Sequence, residues 1–334
     1  MNTQTKMAII AIIIVIPLTS VFVYGTNTNQ QFSNDNNSKL EVISSFNPLH
    51  EFSQIVGQEK VDATLLVPIG VEPHDWEPTI KDVQQMQKSD LIIINGIGFE
   101  NWVDDLRENG FQGIIVDTSN GIVILESKND HESGDHESGD HESGDHESGD
   151  HESGDHESGD HESGDHESGD PHIWLNPVHA KKQVENIAIA FSNSDPENAE
   201  FYHKNAIKYA AQLDLLDTKI RNELSNCNND FIAFHDSFSY FANEYNLNQH
   251  TIIATNDSHG EVTAKTLQNI ISTARELNIN IIFSEETVNT KTSQIIANEI
   301  GGKVLVLSPL EIVSADNYIS KMTQNLENLK EALC

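Results

Sequence analysis

The chain has 334 residues and a formal charge of −34, of which one repeated tract contributes sixteen acids and no Lys or Arg, leaving −18 for the rest. A surface this acidic makes nucleic acid and anionic membrane faces poor partners and leaves cations and neutral ligands open. With the leader and the repeat set aside, about 255 residues remain, enough for one large domain or two lobes.

Lys6 precedes an apolar run from Met7 to Val23 broken only by Pro17, Thr19 and Ser20. This is an export signal, intermediate in length between a signal-peptide core and a membrane span, so residues 1–25 are read as a cleaved signal peptide or an N-terminal anchor. No Cys follows it, which argues against bacterial-type lipid attachment. Residues 26–38, rich in Asn and Gln, form a polar linker.

From Leu40 the pattern alternates. Strands are predicted over Leu40–Ser45, Val61–Val67, Leu91–Asn95, Gly113–Val116 and Ile122–Leu125, with helices over Pro48–Val56, Ile80–Gln87 and Trp102–Glu108. Eight uninterrupted His-Glu-Ser-Gly-Asp copies then fill residues 131–170 and hold half of the sixteen histidines. With no apolar side chain to bury, this tract is expected to be a disordered loop inserted in the first lobe. It reads either as a metal-collecting array of imidazoles and carboxylates or as a charged spacer.

Beyond it, Asn176–Phe191 has helical spacing, and Asp195-Pro196-Glu197 starts a helix that can run to Leu224. Strands Phe231–Phe234, Gln249–Ala254, Asn280–Phe283 and Lys303–Leu307 then alternate with helices Ser237–Tyr245, Ala264–Leu277 and Lys291–Ile300, and a last helix starts from Asp316. The expectation is an α/β chain of two lobes, each a parallel sheet with flanking helices: residues 39–194, a long rigid linking helix at 195–226, and residues 227–334. Cys227 and Cys334 fit no close-spaced zinc or redox motif and could pair in an oxidising compartment.

Four metal-capable side chains fall just past predicted strands, where open parallel sheets present their ligand sites: His74, His172, His235 and Glu285. Singly each is weak, since a loop histidine is more often a surface or capping residue. Together, two from each lobe, they could bring three imidazoles and a carboxylate to one point, a donor set suited to tetrahedral Zn²⁺. Divalent copper would bind such donors too, and manganese would prefer more oxygen. Asp75 and Asp236 are placed to accept from the ligand imidazoles.

The chain resembles the metal-binding solute-binding proteins of ABC uptake transporters for zinc and manganese, over about residues 40 to 334. The resemblance rests on four motifs in order: Val67-Pro68-Ile69-Gly70-Val71-Glu72-Pro73-His74-Asp75-Trp76-Glu77-Pro78-Thr79, Asn95-Gly96-Ile97-Gly98-Phe99-Glu100-Asn101-Trp102, Asp170-Pro171-His172-Ile173-Trp174-Leu175-Asn176-Pro177, and Phe234-His235-Asp236-Ser237-Phe238. It implies two lobes on a rigid helix, with His74, His172 and His235 as ligands and Glu285, the adjacent Glu286 or, where the site is left open, water as the fourth. A His- and acid-rich loop between the first two ligand motifs, as in zinc-selective relatives, implies Zn²⁺ rather than manganese. The implied partners are a permease and its ATPase. The protein would work outside the cytoplasm as a monomer, touching the membrane only through its N-terminal segment or by docking. Glu261-Val262-Thr263-Ala264 departs from the family's Glu-Pro-Ser-Ala, and His259 is read as a surface histidine with an accessory ligand role as its alternative. An extracytoplasmic zinc hydrolase with Glu285 as base, and a metal buffer or adhesin, are the competing functions. The absence of a His-Glu-x-x-His helix argues against the hydrolase, and no enzymatic activity is expected.

Overall fold

The computed structural model describes residues 39–126, 169–253, 262–286 and 290–334. The leader, nearly all of the polar linker and the repeat, and His259, lie outside the described residues. Among the described residues no helix is long and apolar enough to cross a membrane.

Two four-stranded parallel sheets carry the fold. Strands β1 (Leu40–Ser44), β2 (Val61–Leu65), β3 (Leu91–Ile94) and β4 (Ile114–Asp117) are ordered β2-β1-β3-β4. Strands β5 (Asp230–Ala233), β6 (Asn248–Thr251), β7 (Ile281–Ser284) and β8 (Lys303–Val306) repeat that order as β6-β5-β7-β8. In each sheet the chain steps from a central strand to one side and then crosses to the other. The crevice beyond the carboxyl ends of β1 and β3, and of β5 and β7, is therefore a topological switch point.

The central strands are buried on both faces, while the edge strands β2, β4, β6 and β8 are partly exposed. Along β3, Leu91 and Ile93 enter one cluster, with α1 (Asn47–Gly57) and the long helices, while Ile92 and Ile94 enter another, with Met86, Trp102 and Leu106. In the second sheet Phe231, Ala233, Ile281 and Phe283 face the first of these clusters, and Ile232 and Ile282 face Ile270 and Ile296. Such continuous apolar runs are what helix-covered parallel sheets require. One apolar core thus runs from the first sheet into the second.

Helices α2 (Ile80–Met86) and α3 (Val103–Glu108) supply Met86 and Leu106 to the outer cluster of the first sheet. Thr79 and Asp82 close a capping box at the start of α2. Helix α4 (Pro177–Ser194) starts at an Asn176 side-chain cap with proline behind it. The predicted linking helix begins with a 3₁₀ turn at Pro196–Asn198 and continues as α5 (Ala199–Leu224). Tyr202, Ala206, Tyr209, Leu213, Leu216, Ile220 and Leu224 form its buried stripe, at spacings of three and four residues. The remaining helices are α6 (Ser239–Tyr245), α7 (Ala264–Glu276), α8 (Lys291–Ile300) and α9 (Tyr318–Leu333).

The strand expected over Ile122–Leu125 is not one. Those residues are irregular, with Val123 80% exposed, and only Glu126 bridges to Gly169. An apolar run reads as a strand, but here the first sheet offers it neither a neighbour nor a covering helix.

Cys227 and Cys334 are joined, with Cα atoms 4.6 Å apart, and Asn228 N–H donates to the Leu333 carbonyl at 2.9 Å. The crosslink pins the end of α9 beside the end of α5 and closes a sequence separation of 107 residues. Cys334→Ala should therefore lower unfolding free energy by about 2–5 kcal/mol, most of it through the denatured chain. Denaturant titration checks this; a midpoint shared with the oxidised parent would refute it.

Candidate metal centre

His74, His172 and His235 converge, as expected, and the fourth donor among them is Glu311. His74 sits on the 3₁₀ turn Pro73–Asp75 after β2, His172 just before the 3₁₀ turn Ile173–Leu175, His235 just past β5, and Glu311 past β8. His74 Nε2 is 3.2 Å from His172 Nε2, which is 3.3 Å from His235 Nε2. Glu311 Oε1 stands 3.4 Å from His74 Nε2 and 3.6 Å from His172 Nε2. Tetrahedral donors about 2.0–2.2 Å from a zinc ion stand about 3.3–3.6 Å from one another. Four of the six donor pairs stand close to that spacing, and all four atoms lie within 4.8 Å of one another.

Glu285 does not join this cluster. Its Oε1 lies 2.5 Å from His235 Nδ1, on the side of the ring away from the convergence. By accepting that N–H it fixes the tautomer that turns the Nε2 lone pair inward. Asp170 does the same for His172, with Oδ1 2.8 Å from Nδ1 and 3.0 Å from the backbone N–H. Asp236, expected to accept from a ligand imidazole, accepts from Ser239 Oγ at 2.9 Å and Gln249 Nε2 at 3.0 Å. Glu286, the alternative to Glu285, pairs with Lys321 at 2.6 Å.

The motif Asn95–Trp102 holds His172 in place and packs Phe99 edge-on against the His74 ring, centroids 4.7 Å apart. Buried Glu100 accepts from Ser45 Oγ at 2.7 Å, Asn95 N–H at 2.8 Å and Gly96 N–H at 3.1 Å, which ties the ends of β1 and β3 together. Asn95 Nδ2 then donates to the Pro171 carbonyl at 2.8 Å. Gly96 has φ +86°, and a Cβ there would meet the Asp117 carboxylate, so no other residue fits the turn.

Burial holds the His172 pKa well below the usual imidazole range, helped by its two histidine neighbours. Burial also opposes charge on His235, but Glu285, Glu311 and Glu72 outweigh it and raise that pKa to about 9. Burial lifts Glu311 to about 7 against the pull of His235 and of its bond to Glu72, and lifts Glu72 to about 8, with Glu311's charge adding. Glu311 Oε1 and Glu72 Oε1 are buried without a hydrogen-bond partner. Orphaned buried oxygens beside imidazole nitrogens are what a bound cation would satisfy. The side chain of His74 is 12% exposed while those of His172 and His235 are sealed, so the way to solvent passes His74.

Sequence reasoning missed Glu311, Glu72 and the acceptor role of Asp170. Glu311 carries the same signal as the others, a donor a few residues past a strand, in Ser308-Pro309-Leu310-Glu311. Glu72 and Asp170 lie inside motifs already singled out.

Fold and donors together define a two-lobed α/β protein with a metal-type site at the carboxyl ends of its two sheets. The chain belongs to the family described as zinc-uptake complex component A, periplasmic, whose model matches residues 42–332. It is 35% identical over 319 residues to the high-affinity zinc uptake system protein ZnuA of Bacillus subtilis, covering 92% of each chain. It is 31% identical over 303 residues to the zinc-binding protein AdcA of Streptococcus pyogenes, covering 87% of this chain but only 56% of that protein. A crystal structure of ZnuA superposes with a TM-score of 0.72 at 28% identity, covering 89% of this chain and all of that one.

Two outcomes follow from the geometry. Glu311→Ala should weaken zinc binding more than Glu285→Ala, for which the loss should be about 10- to 100-fold, because one removes a donor and the other an orienting acceptor; competition against a chelator ranks the two, and the reverse order would restore Glu285 as the ligand. Second, the raised pKa of His235 means its proton is present below about pH 9 and must leave when Nε2 takes a metal. Zinc binding at pH 7 to 8 should then release about one proton or more, and apparent affinity should fall as pH falls from about 9. Calorimetry in buffers of different ionisation enthalpy measures the release; a zero proton count would contradict this account of the site.

Proposed function

We propose that the protein captures Zn²⁺ outside the cytoplasm and delivers it to an ABC permease driven by a cytoplasmic ATPase, with His74, His172, His235 and Glu311 as ligands and Glu285 orienting His235. The observation that carries this is the convergence of three imidazoles and a carboxylate, their donor atoms all within 4.8 Å of one another. Three imidazoles and one carboxylate suit zinc better than manganese, which favours oxygen donors. The relatives' names, zinc uptake and zinc binding, agree. A catalytic zinc keeps a position open for water, and here protein donors fill all four, which argues against the hydrolase.

On this reading residues 39–194 and 227–334 are the two lobes, 195–226 joins them, and ligands drawn from both lobes give a route to release. The N-terminal segment exports the chain and is cleaved or kept as an anchor, and the protein acts as a monomer. The repeat, outside the described residues, collects metal weakly at high capacity above about pH 6.5, where free imidazoles are neutral.

Metal analysis of the purified chain beside His172→Ala tests the site. The parent should retain one tight zinc and the variant should lose it; retention would refute the assignment. Deleting residues 131–169 should leave the tight zinc and abolish the weaker ones, whereas unchanged stoichiometry would sink the collector role.

A further inference from the structure

Glu311 belongs to the second lobe by connectivity, yet the strand that leads to it does not hold it. The root of its segment is fixed at home: Ser308 N–H donates to Asn325 Oδ1 and the Ser308 carbonyl accepts from Asn325 Nδ2, each at 2.8 Å, with Asn325 on α9. The two residues that lead into Glu311 are gripped from the other side. Trp174 Nε1 donates to the Pro309 carbonyl at 2.7 Å, and Asn47 Nδ2, at the start of α1, donates to the Leu310 carbonyl at 3.1 Å. Just beyond, Glu51 on α1 accepts the Tyr318 N–H at 2.9 Å through either oxygen, and Tyr318 Oη donates to the Trp174 carbonyl at 2.7 Å.

Leu310 has φ +65°, a left-handed conformation that a γ-branched leucine does not adopt unforced. Such a backbone persists only where its surroundings over-determine it. The surroundings here are the two first-lobe donors on successive carbonyls, immediately before Glu311, together with Ser308 Oγ, which accepts the Leu310 N–H at 3.3 Å. Trp174 is buried and its bond is shielded from competing water, while the Asn47 bond is part-buried.

We infer that Asn47 and Trp174 of the first lobe are positioning residues for Glu311, so that the second lobe supplies the carboxylate but contact with the first lobe aims it at the metal. Parting the lobes then withdraws the carboxylate from the ion by releasing its backbone, as it separates His235 from His74 and His172. Neither residue touches the ion; Asn47 acts through the Leu310 backbone, and Trp174 acts through the Pro309 backbone beside its ring contact with His172, centroids 5.1 Å apart. This deepens the zinc-site reading above and rests on Glu311 being a ligand.

The test is a double-mutant cycle read as the rate of zinc transfer from the full chain, loaded with one equivalent of Zn²⁺, to excess chelator. Asn47→Ala and Trp174→Phe remove one donor each, and Asn47→Ala keeps the test alive if the tryptophan variant does not fold. Each should speed zinc release roughly 2- to 10-fold, the range for one lost hydrogen bond, in the parent background and leave it unchanged in Glu311→Ala. An equal acceleration in both backgrounds would mean a general loosening and overturn the proposal, as would no acceleration in the parent. If Glu311→Ala itself releases zinc no faster than the parent, the carboxylate is not a ligand; that result identifies the site reading, not the latch, as the failed premise.

Discussion

Three imidazole nitrogens and a carboxylate oxygen held within 4.8 Å of one another, away from water, repel unless a proton or a cation sits among them. Much of the chain beyond the core serves to keep that arrangement in place. Asp170 and Glu285 take the outer N–H of two rings, so each imidazole has one free lone pair and one direction to point it. The same acids supply the negative charge that makes cation binding favourable.

Holding donors together against repulsion takes stiff support, and the support is the apolar core. It passes from the inner face of the first sheet through the stripe on α5 to Phe231 and Phe283 in the second, with Met322 on α9. Identical strand orders place the two switch points so that β5 and β7 end at His235 and Glu285, while β1 and β3 end at Ser45 and Asn95. The second sheet therefore presents a ligand and its orienting acid directly. In the first sheet Glu100 works through Asn95 and Pro171 to present His172 one step removed.

A carrier must bind a cation tightly and still surrender it. Donors drawn from both sheets reconcile the two demands, because affinity needs all of them and loss of any one costs much of it. His74, on a short turn rather than a strand and the least buried of the three rings, faces the route to solvent. His172, wholly buried and tied to Asp170, is the fixed point of the set.

The sequence by itself determined the alternation of strands and helices, the long helix and the three histidines that converge, because these depend on local periodicity and on a rule about strand ends. It misread Ile122–Leu125, since whether an apolar run becomes a strand depends on neighbours the run does not contain. It named Glu285 as the fourth ligand because a carboxylate after a strand satisfies that rule whichever way it faces. Only the tertiary structure decided that Glu285 lies behind His235 and that Glu311 completes the centre. The choice turns on side-chain direction and on distances of a few tenths of an ångström between residues far apart in the chain. The pairing of Cys227 with Cys334 was settled likewise: α9 returns the chain end to the end of α5, a proximity no residue spacing encodes.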